Sequence, residues 1–195
     1  MQGNTFVFFG IAGSGKGTQV KLLQDFLKAR FNREVVYAYP GNEYRKIIES
    51  KTLTGSLVVT TLNAGGLQPD FLTNSIFTNL LIRDLTDEKD LIADGYPRTI
   101  AQSECLDEVV KFYKRKNVKL IYIELSREEA MKRNLLRGRH DDTKEGIEKR
   151  FDEYVNKVIP AMNYFKNKEN YETFTINGEQ SIESVHADII KALRF

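Results

Sequence analysis

The segment Gly10-Ile11-Ala12-Gly13-Ser14-Gly15-Lys16-Gly17-Thr18 restricts the fold of this chain more than any other stretch. It follows a short apolar run, Thr5-Phe6-Val7-Phe8-Phe9, and precedes a helical pattern whose apolar side runs from Val20 through Leu23 to Leu27. An uninterrupted apolar run of that length reads as a strand buried on both faces, as in a parallel sheet. Glycine, four residues, then Gly-Lys forms a turn whose successive backbone N–H groups can surround phosphate oxygens. The helix N-terminus adds donors and a favourable dipole. Lys16 supplies a mobile charge for β- and γ-phosphates, and Gly13, Ser14, Gly15 and Gly17 complete the expected cradle. The hydroxyl that usually follows the lysine is replaced by Gly17, so Thr18 is expected on the Mg²⁺ side. A plain glycine-rich turn with an exposed lysine is the bland alternative, and the strand–turn–helix context weighs against it. The expectation is ATP or GTP binding. The cradle alone leaves ATPase, GTPase and small-molecule kinase open.

Four further runs read as strands: Val35–Ala38, Leu91–Ala93, Val118–Ile123 and Glu172–Ile176. Helical patterns lie between and after them, notably Ser103–Lys114, Arg127–Leu136 and Ile182–Leu193. Strands alternating with helices of that length require a mainly parallel sheet with both faces covered. The expected fold is therefore a three-layer α/β P-loop domain, with a five-stranded sheet and a single domain spanning residues 1–195. Residues from about 41 to 86 are mostly helical in pattern and fit a small lobe beside the sheet. The short polar stretch at about 137–143 fits a very small lid.

Composition narrows the function by exclusion. With 195 residues, 41% hydrophobic and 29% charged, the chain resembles neither a disordered nor a fibrous protein. A net charge of +2 gives no support to nucleic-acid or membrane binding. Cys105 is the sole cysteine and His140 and His186 the only histidines, so a disulfide framework, a zinc cluster and a histidine-rich metal site are not expected. The start of the chain lacks a signal-peptide pattern, and a reducing, cytoplasmic setting fits.

Beyond the cradle, Gly66-Leu67-Gln68-Pro69-Asp70, Asp94-Gly95-Tyr96-Pro97-Arg98-Thr99 with Gln102, Arg133, Arg137-Gly138-Arg139-His140-Asp141-Asp142 and Arg150 occur in a fixed order. Together they resemble the adenylate kinases, within the nucleoside monophosphate kinase family, in their short-lid form. The resemblance covers almost the whole chain. It implies reversible, Mg²⁺-dependent transfer of the ATP γ-phosphoryl group to AMP, giving two ADP, by a protein that often works as a monomer. It implies that Asp94 organises water around Mg²⁺, that Arg98 holds the acceptor phosphate, and that Gln102 reads the acceptor adenine. Gln102 lies four residues beyond Arg98 and is expected on the same helical face. On the acceptor side the resemblance also places Gly41, Arg45, Leu67 and Gly95. Here the chain departs from the family's usual Thr-Gly-Asp, with Pro40 for the hydroxyl residue and Asn42 for the carboxylate. Proline cannot donate the hydrogen bond that threonine would, so the resemblance implies that recognition of the acceptor base is weakened or rebuilt there.

The same resemblance assigns Arg133 to the donor base, Arg137, Arg139 and Arg150 to the phosphates, Asp141 and Asp142 to orienting those arginines, and Gly178 to the edge of the donor adenine. Converging arginines can stabilise phosphoryl transfer without an acid–base residue. The lid departs from the family's form by being shorter still, and closure would combine this loop with the helical lobe. Pro40 keeps a UMP, CMP or other nucleoside monophosphate acceptor open. An ATP-binding protein with weak or lost transfer, or an RNA-associated ATPase, are the readings from other classes.

Overall fold

In the structure, a computed structural model, residues 2–138 and 143–195 are described. Most of the expected lid, with Arg139, His140, Asp141 and Asp142, lies outside them. Five strands form one sheet: β1 Thr5–Phe9, β2 Val35–Ala38, β3 Asp90–Asp94, β4 Val118–Glu124 and β5 Tyr171–Asn177. Their spatial order is β2-β3-β1-β4-β5, and every pairing is parallel. The central strand β1 has neighbours on both edges and helices on both faces, which is why each of its residues is buried.

Alternation along the strands sends side chains to two cores. Val7, Phe9, Leu91, Ala93 and Leu120 face Phe77 and Leu81 of α4 (Asp70–Asp84) and Leu106 and Val110 of α5 (Ile100–Phe112). Phe6, Phe8, Ile92, Ile121 and Ile123 face Val20, Leu23 and Leu27 of α1 (Lys16–Phe31) and Val185 and Ile189 of α9 (Ile182–Ala192). A third cluster, built on Ile11, Ala130, Ile147 and Phe151, seats α6 (Arg127–Arg137) and α7 (Lys144–Glu153) against the start of the cradle.

The expected lobe consists of α2 (Pro40–Glu49), α3 (Leu53–Asn63) and α4. Pro40 occupies the first turn of α2, where its missing N–H costs no helical bond. Thr52 caps α3 through its side chain and Thr99 caps α5. After α7 the chain makes a π-helical turn, Tyr154–Val158, before the short α8, Ile159–Asn163. Pro160 accounts for it: with no N–H at that position the α-helical bond to Asn156 cannot form, and the turn widens. Among the described residues no helix is long and apolar enough to cross a membrane.

Candidate active site

Parallel register sets the geometry of the site. Phe8 of β1 pairs with Asp94 of β3, so the cradle after β1 and the Asp94 carboxylate leave the same edge of the sheet. Beyond that edge lies a cavity of about 1070 Å³, bounded by the cradle, the lobe and the inner faces of α6 and α7.

Gly13 and Gly15 both take φ of +88°, a backbone conformation in which a side chain is strained. A Cβ on Gly13 would in addition lie 2.6 Å from Asn134 Nδ2. Asn134, fully buried in α6, donates to the Ala12 carbonyl at 2.8 Å and accepts from Arg137 at 2.8 Å, so it ties the cradle to the arginine-bearing helix. Lys16 Nζ donates to the carbonyls of Gly10 (2.7 Å) and Ile11 (3.1 Å) and to Ser14 Oγ (3.4 Å). Burial lowers its pKa to about 8; Asp94 opposes that shift, and the Arg98 and Arg137 charges add to it. One carboxylate and two guanidinium groups thus act on the same amine.

Most of the expected residues converge. Gly13, Gly15, Lys16, Gly17 and Thr18 line the cavity from the cradle. Asp94, Gly95, Arg98 and Gln102 line it from the sheet edge, and Gly41, Arg45 and Leu67 from the lobe. Arg133, Arg137 and Arg150 complete the wall. Arg133 is paired with Glu129 at 2.8 Å, and Arg150 Nε donates to the Gly146 carbonyl at 3.2 Å. Ser14 and Gly178 do not line the cavity. The Ser14 side chain is buried under the loop and its N–H closes the turn onto Ile11 O at 3.1 Å. Gly178 packs against β4, with its N–H on Glu124 O at 2.7 Å.

Gln102 differs from expectation in its setting. Helix α5 begins at Ile100, so Arg98 precedes the helix and the two share no helical face. Instead Gln102 folds back: its Oε1 accepts the Arg98 N–H at 2.8 Å and its Nε2 donates to Asp70 Oδ1 at 2.8 Å. Arg98 Nε in turn donates to the Gly95 carbonyl at 2.9 Å.

Two tyrosines had no sequence signal. Tyr37 Oη donates to Asp94 Oδ2 at 2.9 Å, and burial with the adjacent carboxylate pushes its pKa well up, so it stays a donor. Tyr39 stacks on Tyr37 with ring centroids 5.9 Å apart and carries the Arg45 guanidinium 5.8 Å from its own ring centre. Tyr37 in a half-buried strand and Tyr39 just after it read as ordinary residues of the sheet and its edge, and only the pairing of β2 with β3 brings Tyr37 to Asp94.

The donor set suits a hard divalent cation. A carboxylate held by Tyr37 and the Thr18 hydroxyl share the cavity with space for phosphates and water, the oxygen-rich surroundings Mg²⁺ prefers. Among the described residues no group of three or more His, Cys, Asp or Glu side chains could hold a metal by itself.

Over residues 8–170 the sequence matches the family profile described as adenylate kinase. The adenylate kinase of Prochlorococcus marinus is 33% identical over 183 residues, covering 94% of this chain and 94% of that protein. That of Oenococcus oeni is 31% identical over 177 residues, covering 90% and 91% respectively. That of Thermosipho africanus is 31% identical over 219 residues, covering 96% and 98%. With a match of this extent falling on a phosphate cradle, an acidic strand end and a ring of arginines around one cavity, the chain belongs to the adenylate kinase family.

Proposed function

We propose that the cavity carries out the family reaction on ATP and AMP, giving two ADP, with the donor at the cradle and the acceptor in the lobe. The observation that carries this reading is the convergence of Lys16, Asp94, Arg98 and Arg137 in one cavity that Arg45 also lines. In the transfer, an oxygen of the acceptor phosphate forms a bond to the γ-phosphorus while the bond from that phosphorus to the β-bridging oxygen breaks. The bonding electrons leave with ADP.

Charge is spread over the transferring oxygens as this happens, and fixed donors around them lower the barrier. Lys16 and the free N–H groups of the cradle hold the donor phosphates. Arg45 and Arg98 align the acceptor phosphate, and Arg137 and Arg150, with Arg139, enclose the transferring group. Asp94 and Thr18 would hold Mg²⁺, in part through water, and the ion would neutralise phosphate charge. Arg133 borders the donor base, while Gln102 and Leu67 border the acceptor base. Gln102 also fixes the Arg98 backbone, so it positions the phosphate clamp as well. The acceptor is already a phosphate nucleophile, which leaves no step for a general base.

We place this enzyme in the cytoplasm as a single-domain monomer, on its single cysteine and on the resemblance of the whole chain. Initial transfer rates from Mg·ATP to AMP, UMP, CMP, GMP and dAMP, offered separately, test the reading. AMP is expected to be strongly preferred. A pyrimidine preference would keep the phosphate roles and overturn the acceptor, and no transfer to any acceptor would leave a nucleotide-binding protein.

A further inference from the structure

Gln68 is a polar side chain only 7% exposed, in the connection between α3 and α4, on the wall of the cavity. Its Nε2 donates to the Val58 carbonyl inside the lobe at 3.1 Å. That bond fixes which end of the amide points inward and leaves Oε1 directed the other way. No donor among the described residues reaches Oε1, the atom is not sealed from solvent, and the residue lines the cavity. The lobe also lines the cavity with the apolar Ile48, Val59, Leu62 and Leu67, with Asn42 and Asn63, and with Tyr44 and Thr73, whose hydroxyls are bonded to each other.

An amide oxygen without a donor, beside apolar lobe residues, suits the edge of a planar base better than it suits a phosphate. Phosphate has its cations elsewhere, at Arg45 and Arg98. Gln102 is less free for this task, because both ends of its amide already hold Arg98 and Asp70.

We propose that Gln68 Oε1 reads an exocyclic amino group on the acceptor base, accepting an N–H from the 6-amino group of adenine. Gln68 is then a specificity-determining residue for the acceptor. This rests on the acceptor being seated in the lobe, as proposed above. An acceptor purine without the amino group would leave the oxygen unpaired in a closed site, a mismatch worth about tenfold or more in discrimination.

The matched probe is purine riboside 5′-monophosphate, which has hydrogen where AMP has the amino group. Values of kcat/KM with Mg·ATP, and calorimetric Kd values without turnover, are measured for both acceptors in the unmodified enzyme and in Gln68→Met. The unmodified enzyme is expected to favour AMP by about tenfold or more. In Gln68→Met that preference is expected to collapse to about twofold, through weaker AMP binding, with the KM for ATP unmoved. An unmodified enzyme that binds both acceptors equally overturns the proposal, whether or not the variant folds. A preference that survives in Gln68→Met overturns it as well. Absence of both AMP binding and AMP transfer in the unmodified enzyme would instead bring down the acceptor assignment itself.

Discussion

Arg45 reaches the cavity with its guanidinium restrained from two sides, by Asn42 Oδ1 at 2.7 Å and by the Tyr39 ring. Restraint of this kind lowers the entropy lost when a long side chain grips a phosphate. Arg45→Ala is expected to raise the KM for the acceptor about tenfold to a hundredfold, with the KM for ATP changed by less than about twofold. Separate titration of the two substrates checks it, and equal loss for both would contradict the division into donor and acceptor ends. Arg45 was expected from the resemblance, and the structure places it on α2, four residues after Gly41, at the cavity wall. Asn134 was not legible. It is one polar residue in a highly charged helix, and its bonds to the cradle exist only because α6 packs there. Gln102 was half legible: its place beside Arg98 was foreseen, but the capping bond that creates it depends on where α5 starts.

Among the elements, α5 and β5 are joined by Asp107, which is 4% exposed. Its carboxylate accepts from Tyr171 Oη at 2.8 Å, Lys168 Nζ at 2.7 Å and Lys111 Nζ at 3.0 Å. Burial opposes its charge, yet these donors prevail and hold the pKa at about 2. A folded-state value below the unfolded one stabilises the protein fully above the unfolded pKa of 3.8, and this contribution is lost as pH falls through about 2. Asp107→Asn is expected to lose about 2 kcal/mol at pH 7, with the gap from the unmodified protein closing below pH 4. Urea unfolding at pH 7, 4 and 2.5 measures this; a gap independent of pH would mean that packing, not charge, is what was lost. Inner strands were legible because both faces of a parallel sheet are covered there, which leaves runs such as Phe6–Phe9 apolar throughout, whereas the edge strand β5 is largely exposed. The π-helical turn was hidden, since Pro160 announces an interruption without saying how the chain absorbs it.

At the scale of the molecule, the lobe and the pair α6–α7 both wall the cavity and meet where Gly65 lies against Gly146 and Lys149 of α7, while the sheet edge contributes Phe8, Phe9 and Asp94. Ligands bridging those walls should slow their local opening far more than that of the sheet. Mg·ADP with AMP is expected to slow amide hydrogen exchange in α2, α3 and α7 by about tenfold or more, with little change in β1 and β4. Exchange followed by mass spectrometry reads this directly, and uniform protection or none would remove the lobe from the binding site. The overall architecture could be read from alternation of elements, whereas the spatial order of the strands could not, because covered strands are interchangeable in pattern. That order has a consequence for biogenesis. Of the five strands, the one synthesised before the other four stands at the centre of the sheet, where Phe6 pairs with Ile92 on one side and Lys119 on the other. A nascent chain therefore carries β1 with two bare edges until both partners have left the ribosome, and the sheet closes late in translation. Until then Phe6-Val7-Phe8-Phe9 is an apolar strand with both edges unpaired, the kind of segment that invites wrong pairing.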